Sequence, residues 1–173
     1  TYWSGIVDEN DLCFLGGFPG PLRKVLGIWA EEIDALYDGE VNHVTMLDGN
    51  ALVLKGEYTA SELCDVIHLE TAHALAVYQE DFYAGRPALT VNRYGQGEAY
   101  YLASRNEARF LDNFYQRLIE KLAIKRVLQA ELPLGVTAQL RTDGRREFVF
   151  VLNFTTENKV VCLKGEEFKD LRT

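Results

Sequence analysis

Three histidines and three cysteines, with 26 carboxylates, are the side chains of this 173-residue chain that could carry acid–base, nucleophilic or metal chemistry. Their spacing argues against all three. His68 and His73 lie five apart across an expected break between strands, so no H-x-x-x-H pair on a helix face is available to hold a metal. His43 stands alone beside Asn42. Cys13, Cys64 and Cys162 are far apart, odd in number and without a C-x-x-C, which disfavours a disulfide framework and a zinc ribbon. Each sits in apolar or strand-like sequence, so buried, inert and reduced thiols are expected. No G-x-S-x-G or comparable nucleophile elbow occurs.

The carboxylates fare no better. Asp8-Glu9-Asn10-Asp11 lacks the alternating acids, glycine and distal glutamate of a calcium loop, and reads as a solvated or helix-capping acidic loop. The run Gly16-Gly17-Phe18-Pro19-Gly20-Pro21 after it lacks the Gly-Lys-Ser/Thr ending of a phosphate-binding loop. Glu31–Glu32 and Glu166–Glu167 are sequential neighbours on acidic stretches. Glycoside hydrolysis needs two carboxyls ~5–9.5 Å apart on opposite sides of a scissile bond. Catalytic, cofactor-binding and metal-binding residues are therefore all expected to be none, and no cofactor is implied.

The elements that would position such residues are easier to read. The spine is Ala84 to Ser104, where Pro87–Asn92 and Glu98–Ala103 flank a Tyr94-Gly95-Gln96-Gly97 turn whose glycines suit a tight hairpin. Before it, Thr1–Ser4 reads as the tail of a strand, Gly5–Pro21 as a loop, and Pro21–Leu26 as one or two helical turns ended by Gly27. Over Ile28–Leu36 helix and strand templates compete. Val41–Leu47, Ala51–Leu54, Leu63–Leu69 and His73–Glu80 read as β-prone runs, giving an antiparallel-leaning series. Ser104-Arg105-Asn106-Glu107 has the pattern of a capping box. Beyond it, Phe110, Leu111, Phe114, Tyr115, Leu118, Ile119 and Leu122 form a helical stripe whose burial is worth on the order of 10 kcal/mol before entropy.

Past Pro133 a small antiparallel module of about four strands is expected. Val136–Thr142 and Arg146–Phe154 meet at Asp143-Gly144, and further strands follow at Lys159–Leu163 and Phe168–Leu171. Phe148, Phe150 and Phe154 share a face with Leu152, so core packing is the expectation and a sugar-binding platform the alternative. The domains are placed at 1–125 and 126–173.

Composition excludes whole classes. With 47% hydrophobic and 25% charged residues the chain should bury a core, while a net charge of -8 and a pI near 4.9 argue against nucleic acid or an anionic membrane as partner. No apolar run approaches the ~20 residues of a spanning helix. The only methionine is Met46, and the strand-like start suggests a piece of a longer protein.

Four stretches resemble the β-galactosidases of glycoside hydrolase family forty-two. The run T-Y-W-S-G-I-V-D-E-N-D-L-C-F-L-G-G-F-P-G-P-L-R (Thr1–Arg23) is similar to their trimerisation domain, as are G-I-W-A-E-E-I-D-A-L (Gly27–Leu36) and the Pro87–Ala103 hairpin. F-V-F-V-L-N-F-T (Phe148–Thr155) is similar to their C-terminal β domain. The resemblance implies an α/β fold: the second half of a flavodoxin/amidotransferase-like sandwich, then a small antiparallel β domain. It also implies a cytoplasmic homotrimer whose two catalytic glutamates lie in an N-terminal (β/α)8 barrel upstream of Thr1. The parent reaction would be hydrolysis of terminal β-galactosides with retention. A stand-alone amidotransferase-like hydrolase using Cys13 or Cys64 is a further alternative, although the nucleophile and histidine of that kinship have no counterpart in these motifs.

Overall fold

The computed structural model describes residues 1–163, 168 and 169. The chain divides into two compact units, Thr1–Leu122 and Ala123–Thr173.

In the first unit Thr1–Gly5 is a turn rather than a strand, and the loop after it is tied by isolated bridges, Val7 to Cys13 and Phe18 to Ala30. A 3-10 turn (Gly20–Leu22) runs into the short helix α1 (Arg23–Leu26). Gly27 ends it in the left-handed region, with φ 64°. Six strands follow: β1 (Ile28–Ala35), β2 (Val41–Met46), β3 (Glu57–Leu69), β4 (His73–Tyr78), β5 (Pro87–Tyr94) and β6 (Gly97–Leu102). A short strand β7 (Ser104–Asn106) then leads to helix α2 (Ala108–Lys121).

Every strand pairing is antiparallel among the described residues. The expectation of a flavodoxin-type α/β layer thus meets a mostly antiparallel sheet with few helices. The sheet is built around β3. Its first half pairs with β2 and its second half with β1, so β1 and β2 lie end to end along one edge, while β7 takes the other edge. From β2 the sheet continues through β4, β5 and β6. At Ala103 the chain crosses from β5 to β3: its amide donates to the Ala88 carbonyl at 2.9 Å, and its own carbonyl accepts from the Asp65 amide at 2.6 Å. The sheet therefore rolls over and closes on itself, which removes an exposed edge.

Apolar side chains cover both faces. Phe110 and Phe114 of α2 are buried and meet the rings of Tyr58 and Tyr100 edge-on. Phe18 and Leu26, from the N-terminal segment and α1, pack against the same core. Of the seven apolar residues on the helix stripe only these two phenylalanines are buried, with Leu111 and Leu118 half-buried; Tyr115, Ile119 and Leu122 are exposed.

Two other expectations differ from the structure, and one left open is decided by it. Ala51–Leu54 is a turn knitted by Asn50, whose Nδ2 donates to the Leu47 and Leu54 carbonyls at 2.7 Å each. Ser104–Asn106 pairs as a strand, so the helix begins instead after Glu107, which makes no side-chain cap. Ile28–Ala35 resolves as strand because β3 offers it an edge to pair with.

In the second unit β8 (Val136–Thr142) and β9 (Glu147–Asn153) form the expected hairpin. Lys159–Leu163 is not a strand. Phe168 and Lys169 carry none either, and the rest of that expected strand lies outside the described residues.

Candidate functional site

The residues with chemical potential are dispersed by this fold, and His43 and His68 are each engaged by a neighbouring carboxylate. His43 Nδ1 lies 2.7 Å from Glu80 Oε1, and the same glutamate accepts from the His43 amide at 2.6 Å; the bond to Glu80 raises the imidazole above its ordinary value. His68 stacks on Trp29 with ring centroids 4.3 Å apart, and its Nε2 sits 2.5 Å from Glu31 Oε2. Arg86 Nη1 lies 3.4 Å from His68 Nδ1, so both ring nitrogens face a partner. His73 is exposed at the start of β4.

The acidic loop is held by its own backbone. Asp8 Oδ1 accepts from the Asn10 and Leu12 amides at 2.8 and 3.0 Å, a turn that uses up one oxygen of the carboxylate. Among the described residues no group of three or more His, Cys, Asp or Glu side chains is placed to hold a metal ion. Glu166 and Glu167 lie outside the described residues.

The thiols split. Cys64 is buried as expected, and desolvation pushes it up to about 11, which leaves it protonated and inert at neutral pH. The groups acting on it are Tyr83, Asp34, Tyr78 and Asp65, with no histidine among them. Cys13 and Cys162 correct the expectation: both are exposed, because one sits on the N-terminal loop and the other lies past the last strand. The aromatic face of β9 is also open, with Phe150 48% and Phe154 73% exposed. These rings belong neither to a packed core nor to a walled sugar cleft.

The polar groups that sequence reasoning missed are buried ones. Asn42 Oδ1 accepts from the Gln79 and Glu80 amides at 3.3 and 3.2 Å while its Nδ2 donates to the Glu80 carbonyl at 3.0 Å. Asn92 Nδ2 donates to the Lys24 and Val25 carbonyls at 3.3 and 2.8 Å, satisfying the end of α1. Tyr83 donates to Asp34 Oδ2 at 2.8 Å and Tyr101 to Asp65 Oδ2 at 2.5 Å. The only signal for the last was a carboxylate inside the apolar run Leu63–Leu69. A cleft of ≈ 440 Å³ between the Val53–Lys55 turn and α2 is lined by Tyr58, Asn113 and Arg117, with no carboxylate among its residues.

Comparison with known proteins says which family has this arrangement. The family model for the β-galactosidase trimerisation domain matches residues 1–125, and that for the β-galactosidase C-terminal domain matches residues 135–171. The chain belongs to the β-galactosidases of glycoside hydrolase family forty-two. It is 57% identical over its whole length to β-galactosidase Pbg of Clostridium perfringens. Against β-galactosidase BglY of Alicyclobacillus acidocaldarius it is 54% identical over 99% of its length. In both cases it spans 25% of the relative's length. The crystal structure of the cold-adapted β-galactosidase from Rahnella sp. R3 superposes on 95% of this chain with a TM-score of 0.83 at 58% identity, using 24% of that chain. The β-galactosidase from Bacillus circulans covers 87% with a TM-score of 0.78 at 47% identity, using 22% of that chain. This chain of the family corresponds to its trimerisation and C-terminal domains, which are accessory to catalysis.

Proposed function

We propose that the chain is the assembly and C-terminal region of a β-galactosidase that hydrolyses terminal β-D-galactosides with retention, and that it supplies no catalytic, cofactor-binding or metal-binding residue itself. The observation that carries this reading is chain-long identity to enzymes named β-galactosidase, of which this chain spans one quarter. The rest of such a protein would hold the N-terminal (β/α)8 barrel with its two glutamates, acting through a covalent glycosyl-enzyme. The dispersed, locally bonded histidines and the protonated Cys64 support placing catalysis elsewhere.

Within this reading residues 1–125 are the trimerisation domain and 126–173 the C-terminal β domain. The rolled antiparallel sheet is the later half of an amidotransferase-like sandwich whose parallel part is contributed by other residues. The complete protein is a cytoplasmic homotrimer without nucleic-acid or membrane partners. The acidic net charge agrees with that, and no helix among the described residues is long and apolar enough to cross a membrane.

Expression of this chain alone and of the chain joined to the whole upstream portion of a relative tests the proposal. The joined protein should run as a trimer by light scattering and release chromophore from a nitrophenyl β-galactoside. The chain alone should release none. Turnover by the chain alone overturns it.

A further inference from the structure

The rolled sheet closes beside a buried carboxyl group. Asp65 is fully buried on β3, and its amide makes the 2.6 Å bond to the Ala103 carbonyl that forms the seam. From the other face Tyr78 Oη donates to that same carbonyl at 2.9 Å and lies 3.3 Å from the Asp65 carbonyl. Among the described residues the Asp65 side chain has a single bond, Oδ2 accepting from Tyr101 Oη at 2.5 Å, and Oδ1 has no partner. Thr90, which stands opposite Tyr101 in the β5–β6 register, also has a buried hydroxyl without a partner. A buried carboxylate is normally met by two or three donors, and this one has one.

We propose that Asp65 acts as a proton-operated fastening of this seam, the neutral acid holding β3 to the β6–β7 strand more firmly than the carboxylate does. The neutral form removes the cost of a charge out of water. It also supplies an O–H donor on the face that carries the unpartnered Thr90 hydroxyl. The titratable groups that interact with Asp65 are Tyr101 from β6, Tyr78 from β4 and its neighbour Cys64 on β3. On β1 the residue opposite is Ile33, and on β5 the residue opposite Tyr101 is Thr90. Tyr101 is itself pushed well up by burial and by Asp65, so it keeps its proton and remains a donor.

The direction follows from the burial. Desolvation raises Asp65 to about 6 from an ordinary 3.8, against the opposing pull of the Tyr101 hydrogen bond. A carboxyl raised on folding binds more protons in the folded chain, so stability is gained as pH falls through about 6 and is complete below the unfolded value. Between about pH 8 and about pH 5 the folding equilibrium should gain about tenfold from this group.

Amide exchange on the full chain tests it, with protection factors corrected for intrinsic rates at both pH values. Protection of the residue-65 amide should rise about tenfold more in the unsubstituted chain than in Asp65→Asn. Equal rises in the two proteins overturn the proposal. A second measurement needs no variant: carbon-13 NMR of the aspartate carboxyls in the unsubstituted chain should show one that titrates with a midpoint of about 6. Ordinary acidic midpoints for all of them overturn it as well.

Discussion

Tyr78 on β4 donates its hydroxyl proton to the Ala103 carbonyl at 2.9 Å, linking a strand on one side of the rolled sheet to the point where the opposite side closes. The ring is fully buried and meets Tyr83 edge-on at 5.0 Å. Tyr78→Phe keeps the ring and removes one bond, and the Ala103 carbonyl retains the Asp65 amide. The expected loss is about 1 kcal/mol in urea unfolding, without loss of cooperativity. Tyr78→Ala also empties the ring's volume, and a loss of about 3–5 kcal/mol is expected.

Gly27 is a crowded backbone position of the first unit. Its carbonyl accepts from the amides of Glu70, Thr71 and Ala72 at 2.8, 3.1 and 3.1 Å. A Cβ there would meet Thr71 Oγ1 at 2.5 Å and Asn92 Cγ at 2.6 Å, and φ is already positive. Gly27→Ala should cost at least about 2 kcal/mol by thermal or urea unfolding. Gly95→Ala, at a hairpin turn with open space around it, should cost less.

Thiol alkylation under native conditions distinguishes the three cysteines. Cys13 and Cys162 are exposed, whereas Cys64 is buried and held at about 11. Intact mass should show two adducts, and the third only after unfolding. Early modification of Cys64 would contradict the closed sheet.

His43 gives a pH signature of its own. Its imidazole is raised by Glu80, so the pair stabilises the folded chain below the ordinary imidazole value and loses that contribution as pH rises through the raised folded value. The His43 ring resonances should titrate with a midpoint above about 6.5, and Glu80→Gln should bring it back down. An unchanged midpoint in the variant would assign the shift to another cause.

What could be read from the sequence was set by local chemistry. The β5–β6 hairpin announces itself through Tyr94-Gly95-Gln96-Gly97, and the β8–β9 hairpin through Asp143-Gly144, because turn conformations demand those residues. Gly27 ended α1 for the same reason. Long-range pairing overrode local signals elsewhere. Ser104–Asn106 carries a helix-capping pattern, yet β3 recruits it as a strand, and Glu107 Oε1 then faces the Thr59 amide at 3.3 Å. The α2 stripe foretold seven buried residues, but the sheet beneath it covers only one side. Asn42, Asn92 and Asp65 were not legible in the sequence, since a buried polar residue reveals itself only through the partners that the fold brings to it.

The position of β3 has a consequence during synthesis. Its last residue, Leu69, is made well before Ser104, the first residue of the strand that seals its second edge, and the interval of 35 residues (104 − 69) corresponds to roughly 2–7 s at the usual pace of a ribosome. Throughout that delay the apolar stretch from Cys64 to Ile67 leaves the tunnel with one flank unsealed. A nascent chain whose emerged part ends before Ser104 should therefore be held by chaperones or clump with its neighbours, and one whose emerged part extends past Lys121 should not.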